Sequence, residues 1–335
     1  MTVEITIVGL GQIGTSIGLA LAEHTNLLKR MGHDRRYDIA KQAAKMGAVD
    51  RVSPNLPSSV RDADIVLLAI PMDQIRETLE IIVPDLKEGA VVMDTAPVKE
   101  SIAAWAGELL PPGCDYVGLT PVINPAYLYG PESGTEAAHA DMFRNSLMGI
   151  VAPARTSPEA IKLAADLTRL LGASAFFTDP TEMDGLMAAT HLLPQMMAAA
   201  LLNATVDQPG WREGQKLAGK VYAEATNPIM HQSDAAALRA AAMLNRENLL
   251  RHLDNTIAIL QAFRSDIQDG NQDALQERLE RAVQGRERWW KQRQSGEWAQ
   301  SEAFPTAETT SSSDVFGRLL GINRRPGLRR PGAKK

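Results

Sequence analysis

The stretch that decides the fold is residues 3–21, which read VEITIVGLGQIGTSIGLAL. An apolar run with β-branched residues leads into Gly9, Gly11 and Gly14, and a small-residue helical pattern follows. This pattern predicts a strand, a tight turn and a helix. In a Rossmann unit the three glycines make the turn, admit a pyrophosphate to the backbone and let the helix pack on the strand. The stretch therefore predicts a dinucleotide site at a helix N-terminus.

An acidic residue follows the second predicted strand. This strand covers residues 28–33, and Asp34 comes directly after it, twenty residues beyond Gly14. A carboxylate at that position bonds the ribose hydroxyls of NAD and repels the 2′-phosphate of NADP. Because Arg35 and Arg36 come next and could bind that phosphate, the sequence favours NAD and leaves NADP possible. A glycine turn that binds no ligand is the alternative interpretation.

Strand and helix patterns alternate over the first half of the chain. The runs at residues 64–70 and 90–94 are continuously apolar, as in strands that helices cover on both faces. Further strands are predicted at residues 115–121, 147–151 and 174–177. Beyond these only helical patterns follow, until about residue 293. We predict a doubly wound parallel α/β Rossmann domain (1–180), an all-α substrate and dimerisation domain (181–293), and a flexible linker with a basic tail (294–335).

Composition limits the compartment and the partners. Of the 335 residues 44% are hydrophobic and 22% are charged, and Cys114 is the single cysteine. No run approaches the ~18 apolar residues of a membrane span, and the first strand begins too early to leave room for a signal peptide. These features predict a cytoplasmic protein without disulfides. The net charge is −5, and residues 315–335 carry +7, so the rest carries −12 and disfavours nucleic acid as a partner.

The second half and the tail each suggest a protein contact. Apolar residues at helical spacing form a long seam of the kind that meets a second copy of the chain. Residues 315–322, VFGRLLGI, follow the linker and are interpreted either as part of a solvated tail or as a peptide that docks on a protein partner or an anionic surface. The seam residues are Leu250, Leu253, Ile257, Leu260 and Ile267.

Several of these features together resemble the prephenate/arogenate dehydrogenase family. They are the glycine turn, Asp34, the Ala-Ile-Pro turn at residues 69–71, the turn at residues 94–99, the loop at residues 118–134 and the helical half. The resemblance covers about residues 3–270. It implies a dimer with a Rossmann domain and a helical dimerisation domain. It also implies an NAD- or NADP-dependent oxidative decarboxylation of prephenate or arogenate in tyrosine biosynthesis.

Several catalytic positions of that family carry other residues in this chain. The family's His-Pro pair, whose histidine accepts the hydrogen bond of the substrate's ring hydroxyl, corresponds to Thr120-Pro121. The family's serine in the turn after the fifth strand corresponds to Pro97, while Lys99 remains. The arginine that binds the substrate carboxylate falls on Tyr222. The chemistry of the family site is therefore altered or moved to another small acid, or the chain is a non-catalytic dinucleotide-binding protein.

A histidine persists in the helix that links the two halves. The family's Ser-His-Leu-Pro-His motif corresponds to residues 191–195, which end at Gln195. The one histidine of this segment, His191, lies one position before the first histidine of the motif. One residue along a helix is a rotation of about 100°. We expect His191 to reach the family's catalytic face only if Pro194 kinks or bulges the helix. A histidine with a purely structural role is the alternative.

The resemblance and the glycine turn together name the expected site residues, and we expect no metal. The expected catalytic residues are His191, Thr120 and Lys99. The expected contacts to a small carboxylate substrate are Asn124, Tyr222 and Asn227. The expected cofactor contacts are Gly9, Gly11, Gln12, Ile13, Gly14, Asp34, Arg35, Ala69, Ile70, Pro71, Asp94 and Thr95.

Overall fold

The computed structural model describes residues 2–129, 134–231 and 235–296. Its first half holds an eight-stranded sheet in the order β3-β2-β1-β4-β5-β6-β7-β8. β1 lies between β2 and β4, so the strand order reverses beside it, and dinucleotides bind at such a switch point. The strands are β1 Val3–Val8, β2 Leu28–His33, β3 Arg51–Val52, β4 Ile65–Leu68, β5 Val91–Asp94, β6 Asp115–Pro121, β7 Leu147–Val151 and β8 Ser174–Thr178.

The last two strands depart from the predicted all-parallel sheet. β7 runs antiparallel to β6, with Gly118 opposite Val151, and β8 runs parallel to β7. In its described residues, 122–129 and 134–146, the connection from β6 to β7 contains short 3₁₀ turns and no crossover helix, which agrees with the reversed direction of β7. The apolar pattern of a buried strand is the same for both directions. The sequence therefore located these strands without giving their orientation.

Helices cover both faces of the sheet and form the whole second half of the described chain. A short helix at Leu56–Val60 was not predicted; Asn55 caps it by accepting a hydrogen bond from Ser58 N–H. The helices of the first half are α1 Gln12–Ala20, α2 Tyr37–Lys45, α3 Leu56–Val60, α4 Ile75–Ile82, α5 Glu100–Leu109 and α6 Pro158–Leu170. Those of the second half are α7 Pro180–Met187, α8 Leu193–Thr205, α9 Trp211–Leu217, α10 Lys220–Thr226, α11 Ala235–Leu244, α12 Arg246–Gln268 and α13 Gln272–Ser295.

Two apolar clusters lie on opposite faces of the sheet. One contains Ile5, Ile7 and the buried face of α6, and the other contains Val66, Val92 and the buried face of α4. The second cluster also includes Leu192, Leu238 and Leu249 of the helical half. The helical half is therefore held against one face of the sheet by a shared core, near the end of β4.

Much apolar surface of the helical half remains exposed in the single chain. Of the predicted seam, Leu250, Ile257 and Leu260 are about half exposed and Ile267 is 66% exposed, while Leu253 is partly buried. The segment Pro180–Thr205 is long and apolar enough to cross a membrane by length and composition alone. It also carries the buried Asp184, which caps α5 as described below. Exposed apolar faces of this extent need a protein surface to cover them.

The predicted linker and tail lie almost wholly outside the described residues. α13 continues through Ser295, two residues beyond the predicted end of the helical half. The segment 315–322, interpreted above as a docking peptide, is not among the residues that the structure describes.

Candidate active site

The glycine turn has the close packing that its sequence predicts. Gly9 has φ +91°, a conformation that favours glycine, and a Cβ there would lie 2.4 Å from the carbonyl oxygen of Ala69. A Cβ on Gly14 would lie 1.9 Å from the carbonyl oxygen of Gly9. α1 can therefore begin beside β1 only because both positions lack side chains.

Gly11 differs from its neighbours because it faces open space. A Cβ on Gly11 would meet nothing within 4 Å, and its backbone is extended, with φ −73° and ψ −160°. It is the N-cap of α1, so the first-turn amides of Gln12 and Ile13 point past it. An open position at a helix N-terminus fits a pyrophosphate group. The Gln12 side chain is already used, because its amide donates to the carbonyl of Ala137 at 3.2 Å.

Asp34 is fixed beside this turn by two backbone amides. Leu10 N–H donates to one carboxylate oxygen at 2.8 Å, and Arg36 N–H donates to the other at 2.9 Å. Each oxygen keeps a further lone pair for a ligand. Arg35 and Arg36 are exposed at the start of the following segment. The geometry suits a ribose diol more directly than a 2′-phosphate.

The ends of β4 and β5 lie next to the glycine turn, as predicted. Ala69 N–H donates to Val8 O at 2.8 Å, and the side chain of Ile70 would be 2.7 Å from a Cβ on Gly9. Pro71 follows as the N-cap of a 3₁₀ turn. Thr95 N–H donates to Leu68 O at 3.0 Å and is partly exposed. These residues form the floor of the site.

Lys99 and Asp94 do not lie where the sequence placed them. Both side chains are fully buried, and Lys99 Nζ is 2.7 Å from Asp94 Oδ1. Tyr116 OH donates to Asp94 Oδ2 at 2.6 Å, and Ala96 N–H donates to Oδ1 at 2.8 Å. Burial lowers the pKa of Lys99, and the charge of Asp94 opposes that shift. The two side chains bond each other below the surface in this structure, and the expected roles of Lys99 and Asp94 at the site stay predictions.

The absence of a side chain at Gly118 makes room for this buried pair. A Cβ at Gly118 would lie 2.8 Å from Lys99 Cδ and 2.9 Å from Tyr116 OH. Burial and the neighbouring Asp94 raise the pKa of Tyr116 well above its ordinary value, so the phenol stays neutral and donates. Sequence reasoning missed Tyr116. Its position two residues before Gly118 on the same strand face was the available signal.

Asp184 joins the helical half to the N-terminus of α5. Its carboxylate accepts from the backbone N–H groups of Lys99 at 2.5 Å and Glu100 at 3.2 Å, and its own carbonyl accepts from Asn245 Nδ2 at 2.7 Å. Burial raises the pKa of Asp184 to about 6, although the two N–H groups oppose the shift. A carboxylate thus caps a helix across the contact between the two halves.

This raised pKa predicts a pH dependence of stability. Because the pKa of Asp184 in the folded chain is about 6 and that of an unperturbed aspartate is 3.8, folding takes up a proton when the pH lies between these two pKa values. The contribution of Asp184 to the free energy of unfolding is fully present below pH 4 and is lost as the pH rises through 6. We expect Asp184→Asn to remove this trend, on the order of 1–3 kcal/mol between pH 4.5 and 7.5. Urea unfolding of both proteins measures it, and parallel pH profiles would contradict it.

Thr120 carries a buried polar atom on β6, close to Met183 of α7. Its side chain is 6% exposed, and its Oγ1 has no hydrogen-bond partner among the described residues. It pairs with Gly149 of β7, where a Cβ would lie 2.5 Å from Met183 Cε. A buried hydroxyl without a partner is costly. Thr120 therefore has an unused donor and acceptor at the carboxyl end of β6.

His191 lies in a π-helical turn, Ala188–Leu192, between α7 and α8. The N–H of Leu193 bonds to Ala188 O, five residues back, and Pro194 has no N–H to continue the α pattern. A π turn holds one extra residue, so it changes the rotational register of the helix at this point. A bulge of this kind is what His191 needs to reach the family's catalytic face, and its catalytic role stays a prediction. His191 itself is partly exposed.

The three expected substrate contacts are placed at separate points. The Asn124 side chain caps a turn, because its Oδ1 accepts from Ala126 N–H at 3.0 Å while its Nδ2 donates to Arg144 O at 3.1 Å. Tyr222 OH is hydrogen-bonded to Thr205 Oγ1 at 2.7 Å. Asn227 is exposed at the end of α10. The structure therefore gives Asn124 a structural role and places Tyr222 against the end of α8.

A cavity of about 690 Å³ lies at the opposite, amino-terminal edge of the sheet. Its polar lining is already paired, since Asp115 accepts from Ser157 and Asp64 is bonded to Lys87. The groups discussed above lie at the carboxyl edge, where ligands of doubly wound sheets bind. We therefore assign the candidate site to the carboxyl edge.

Family models match nearly all of the described chain. Residues 17–176 match the nucleotide-binding domain of prephenate dehydrogenase, and residues 179–281 match its dimerization domain. The chain belongs to the prephenate dehydrogenase family. This family consists of nicotinamide-dependent oxidoreductases, so the predicted fold class and cofactor class are confirmed.

Individual relatives of the prephenate dehydrogenase family agree with this assignment. Prephenate dehydrogenase of Bacillus subtilis (strain 168) is 24% identical over 275 residues, which are 81% of this chain and 72% of that protein. Cyclohexadienyl dehydrogenase of Zymomonas mobilis is 26% identical over 298 residues, 84% of this chain and 94% of that protein. A solved prephenate dehydrogenase from A. aeolicus, in complex with hydroxyphenyl propionate and NAD+, has a TM-score of 0.75 at 21% identity and covers 86% and 98% of the two chains. That likeness shows a shared fold.

Gln195 is a second residue that the sequence analysis did not single out for the site. It corresponds to the last histidine of the prephenate dehydrogenase motif, and it is 2% exposed. Its Nε2 donates to His191 O at 2.9 Å, while its Oε1 has no partner among the described residues. Gln195 thus offers an amide oxygen that can accept a hydrogen bond, and Thr120 offers a hydroxyl group. Two positions that are histidine in the family's motifs therefore carry buried polar atoms without partners.

Proposed function

We propose that this protein is an NAD-dependent dehydrogenase that oxidatively decarboxylates prephenate or arogenate. The observation that carries the proposal is the open N-terminus of α1 at Gly11, with Asp34 fixed beside it, in a chain of the prephenate dehydrogenase family. NAD, when bound, supplies the hydride acceptor. The α1 amides would hold its pyrophosphate, and Asp34 would hold the ribose hydroxyls.

The proton chemistry is assigned to His191. The ring hydroxyl of the substrate must lose its proton as hydride leaves the same carbon, and a neutral imidazole is suited to accept it. Thr120 can orient that hydroxyl by a hydrogen bond but cannot take a proton near neutral pH. The proposal gives Lys99 no contact with the substrate carboxylates, because its side chain is fully buried against Asp94. Tyr222 and Asn227 remain candidates for binding the substrate carboxylates, and both of these side chains are uncharged.

The first experiment mixes the purified protein with NAD or NADP and with prephenate or arogenate, and follows the absorbance of reduced nicotinamide. Calorimetry measures binding of each cofactor separately. Turnover with NAD supports the proposal. Cofactor binding without turnover on either acid would show an intact Rossmann site with a different substrate or no chemistry.

We expect His191→Ala to reduce kcat by about 10²- to 10⁴-fold, because a general base contributes that much to a proton-coupled step. NAD affinity should not change, since the glycine turn is untouched. His24→Ala is the matched control: His24 lies in a 3₁₀ turn after the far end of α1, and this variant should keep full activity. Turnover in His191→Ala equal to that of the wild type would show that His191 is not the general base.

A second candidate function is the oxidation of a different small acid by the same fold. It is favoured by Thr120, which replaces the family's histidine, and by the neutral Tyr222, where the family has an arginine. A dicarboxylate is best held by a guanidinium, which this position lacks. Activity on prephenate and arogenate, compared with a panel of other hydroxy acids and amino acids, distinguishes the two functions. The remaining alternative, a non-catalytic dinucleotide-binding protein, predicts cofactor binding with no turnover on any acid in the panel.

The protein is proposed to act as a cytoplasmic homodimer through its helical half. Residues 179–281 match a dimerization domain, and the exposed seam on α12 gives it an apolar surface to bury. Docking of residues 315–322 on another protein is a proposal that rests on the sequence alone. Removal of residues 297–335 should then leave turnover intact and abolish binding of that partner.

A further inference from the structure

The connection between β6 and β7 contacts the cofactor turn directly. This connection, residues 122–146, is described at 122–129 and 134–146. Its second part lies against α1, with Thr135 and Ala137 buried there. Three hydrogen bonds join the two segments: Thr135 Oγ1 to Leu10 O at 2.8 Å, Gln12 Nε2 to Ala137 O at 3.2 Å, and His139 N–H to Ser16 Oγ at 3.1 Å.

The position of Leu10 depends on both sides of this contact. Its carbonyl accepts from Thr135, while its N–H donates to Asp34 at 2.8 Å. A shift of the β6–β7 connection would therefore move the backbone between Gly9 and Gly11 together with the carboxylate of Asp34. These are the groups assigned above to the pyrophosphate and the ribose.

The C-terminal end of α13 fixes both ends of the same connection. The Arg293 guanidinium donates to the carbonyl of Ile123, at the start of the connection, and to Ser146 Oγ, at its end, the latter at 3.2 Å. Arg293 is 6% exposed, and Ser146 is fully buried. Burial lowers the pKa of Arg293. A guanidinium with several donors in one plane suits two acceptors that must be held at a set separation.

Helix α13 makes a second contact with the β6–β7 connection, at Tyr129. Arg286 Nη2 donates to Tyr129 OH at 2.8 Å, and the Tyr129 ring packs edge-on against Trp290 at 5.6 Å. Arg286 also lies 4.8 Å from the ring centres of both Trp289 and Trp290. Arg286, Trp289 and Trp290 lie after residue 281, where the match to the family's dimerization domain ends.

We propose that the end of α13, through Arg286 and Arg293, sets the affinity of the cofactor site by holding the β6–β7 connection against the glycine turn. Arg293 is the positioning residue, because it joins both ends of the connection and acts on the cofactor groups through that connection. Helix α13 begins within the part of the chain that matches the dimerization domain and continues past its end at residue 281, so this contact couples cofactor binding to the helical half. The inference rests on the proposed cofactor site.

The test is calorimetric titration of NAD alone into the full-length chain and its variants. We expect Arg293→Met, which keeps an unbranched apolar stem and removes the guanidinium donors, to raise the Kd for NAD roughly tenfold, within the usual range of coupling between sites. Arg293→Lys keeps a charged donor and should recover most of the affinity. Arg288→Ala, an exposed arginine on the same helix, is the matched control and should bind NAD as the wild type does.

A purely structural role of Arg293 predicts a different result. Arg293→Met would then melt at a lower temperature but bind NAD with unchanged Kd below its melting point, and this outcome overturns the inference. If Arg293→Met does not fold, Tyr129→Phe serves instead. It removes the hydroxyl that accepts from Arg286, Tyr129 is 65% exposed, and the Kd should rise about threefold. Unchanged binding in that variant also overturns the inference. Failure of the wild type to bind NAD would instead contradict the proposed function.

Discussion

Replacement of Lys99 by methionine is expected to lower the free energy of unfolding by about 3–5 kcal/mol. Methionine fills a similar volume but leaves the Asp94 carboxylate fully buried without its cation, and only Tyr116 and Ala96 N–H still donate to it. A buried charge that has lost its partner is among the costliest single changes in a folded protein. Urea unfolding at neutral pH measures the loss.

Lys87→Met is the matched control for this prediction. Lys87 also pairs with an aspartate, Asp64, at 2.5 Å, but its side chain is 37% exposed and that of Asp64 is 23% exposed. Water can solvate the remaining carboxylate, so the loss should stay below about 1 kcal/mol. Equal losses in the two variants would mean that the burial of Lys99 is not what makes its pairing matter. Asp94→Asn together with Lys99→Met should recover part of the stability, because no unpaired charge remains.

The second large effect concerns the cofactor turn. Gly11→Val is expected to leave the free energy of unfolding almost unchanged and to weaken NAD binding by about 10- to 100-fold, which corresponds to ~1–3 kcal/mol. The backbone at Gly11 suits any residue, and a Cβ there would meet no protein atom within 4 Å, so we expect the new side chain to extend into the space assigned to the pyrophosphate. Thermal melting and NAD calorimetry on the same samples measure the two quantities.

Gly14→Ala provides the contrasting variant. Its Cβ would lie 1.9 Å from the carbonyl oxygen of Gly9, so α1 cannot stay beside β1, and stability and NAD binding should fall together. If Gly11→Val were as unstable as Gly14→Ala, the glycine at position 11 would be needed for folding rather than for binding the pyrophosphate. If it bound NAD with full affinity, the pyrophosphate would not lie at the N-terminus of α1.

Local patterns sufficed wherever one segment carries its own signal. The glycine spacing determined the strand, turn and helix at residues 3–21, because each glycine meets a requirement of backbone geometry within a few residues. Asp34 was placed correctly for the same reason, since a strand end fixes its distance from the turn. The apolar runs located β4, β5 and β6, and a long helical pattern without strands separated the two halves. The family resemblance then supplied the kind of chemistry, which no periodicity contains.

Contacts between distant segments decided the rest. The sequence shows Lys99 after a strand, but only the packed sheet shows that the empty space at Gly118 lets Lys99 turn inward to Asp94 and Tyr116. The direction of β7 depends on how the chain returns from β6, and the capping of α5 by Asp184 spans 85 residues. The π turn that changes the register at His191 depends on helix packing around Pro194. Burial and the pairing of charges arise from these long-range contacts, so the sequence determined the fold class and the cofactor turn, and the tertiary structure decided which polar groups are buried and paired with one another.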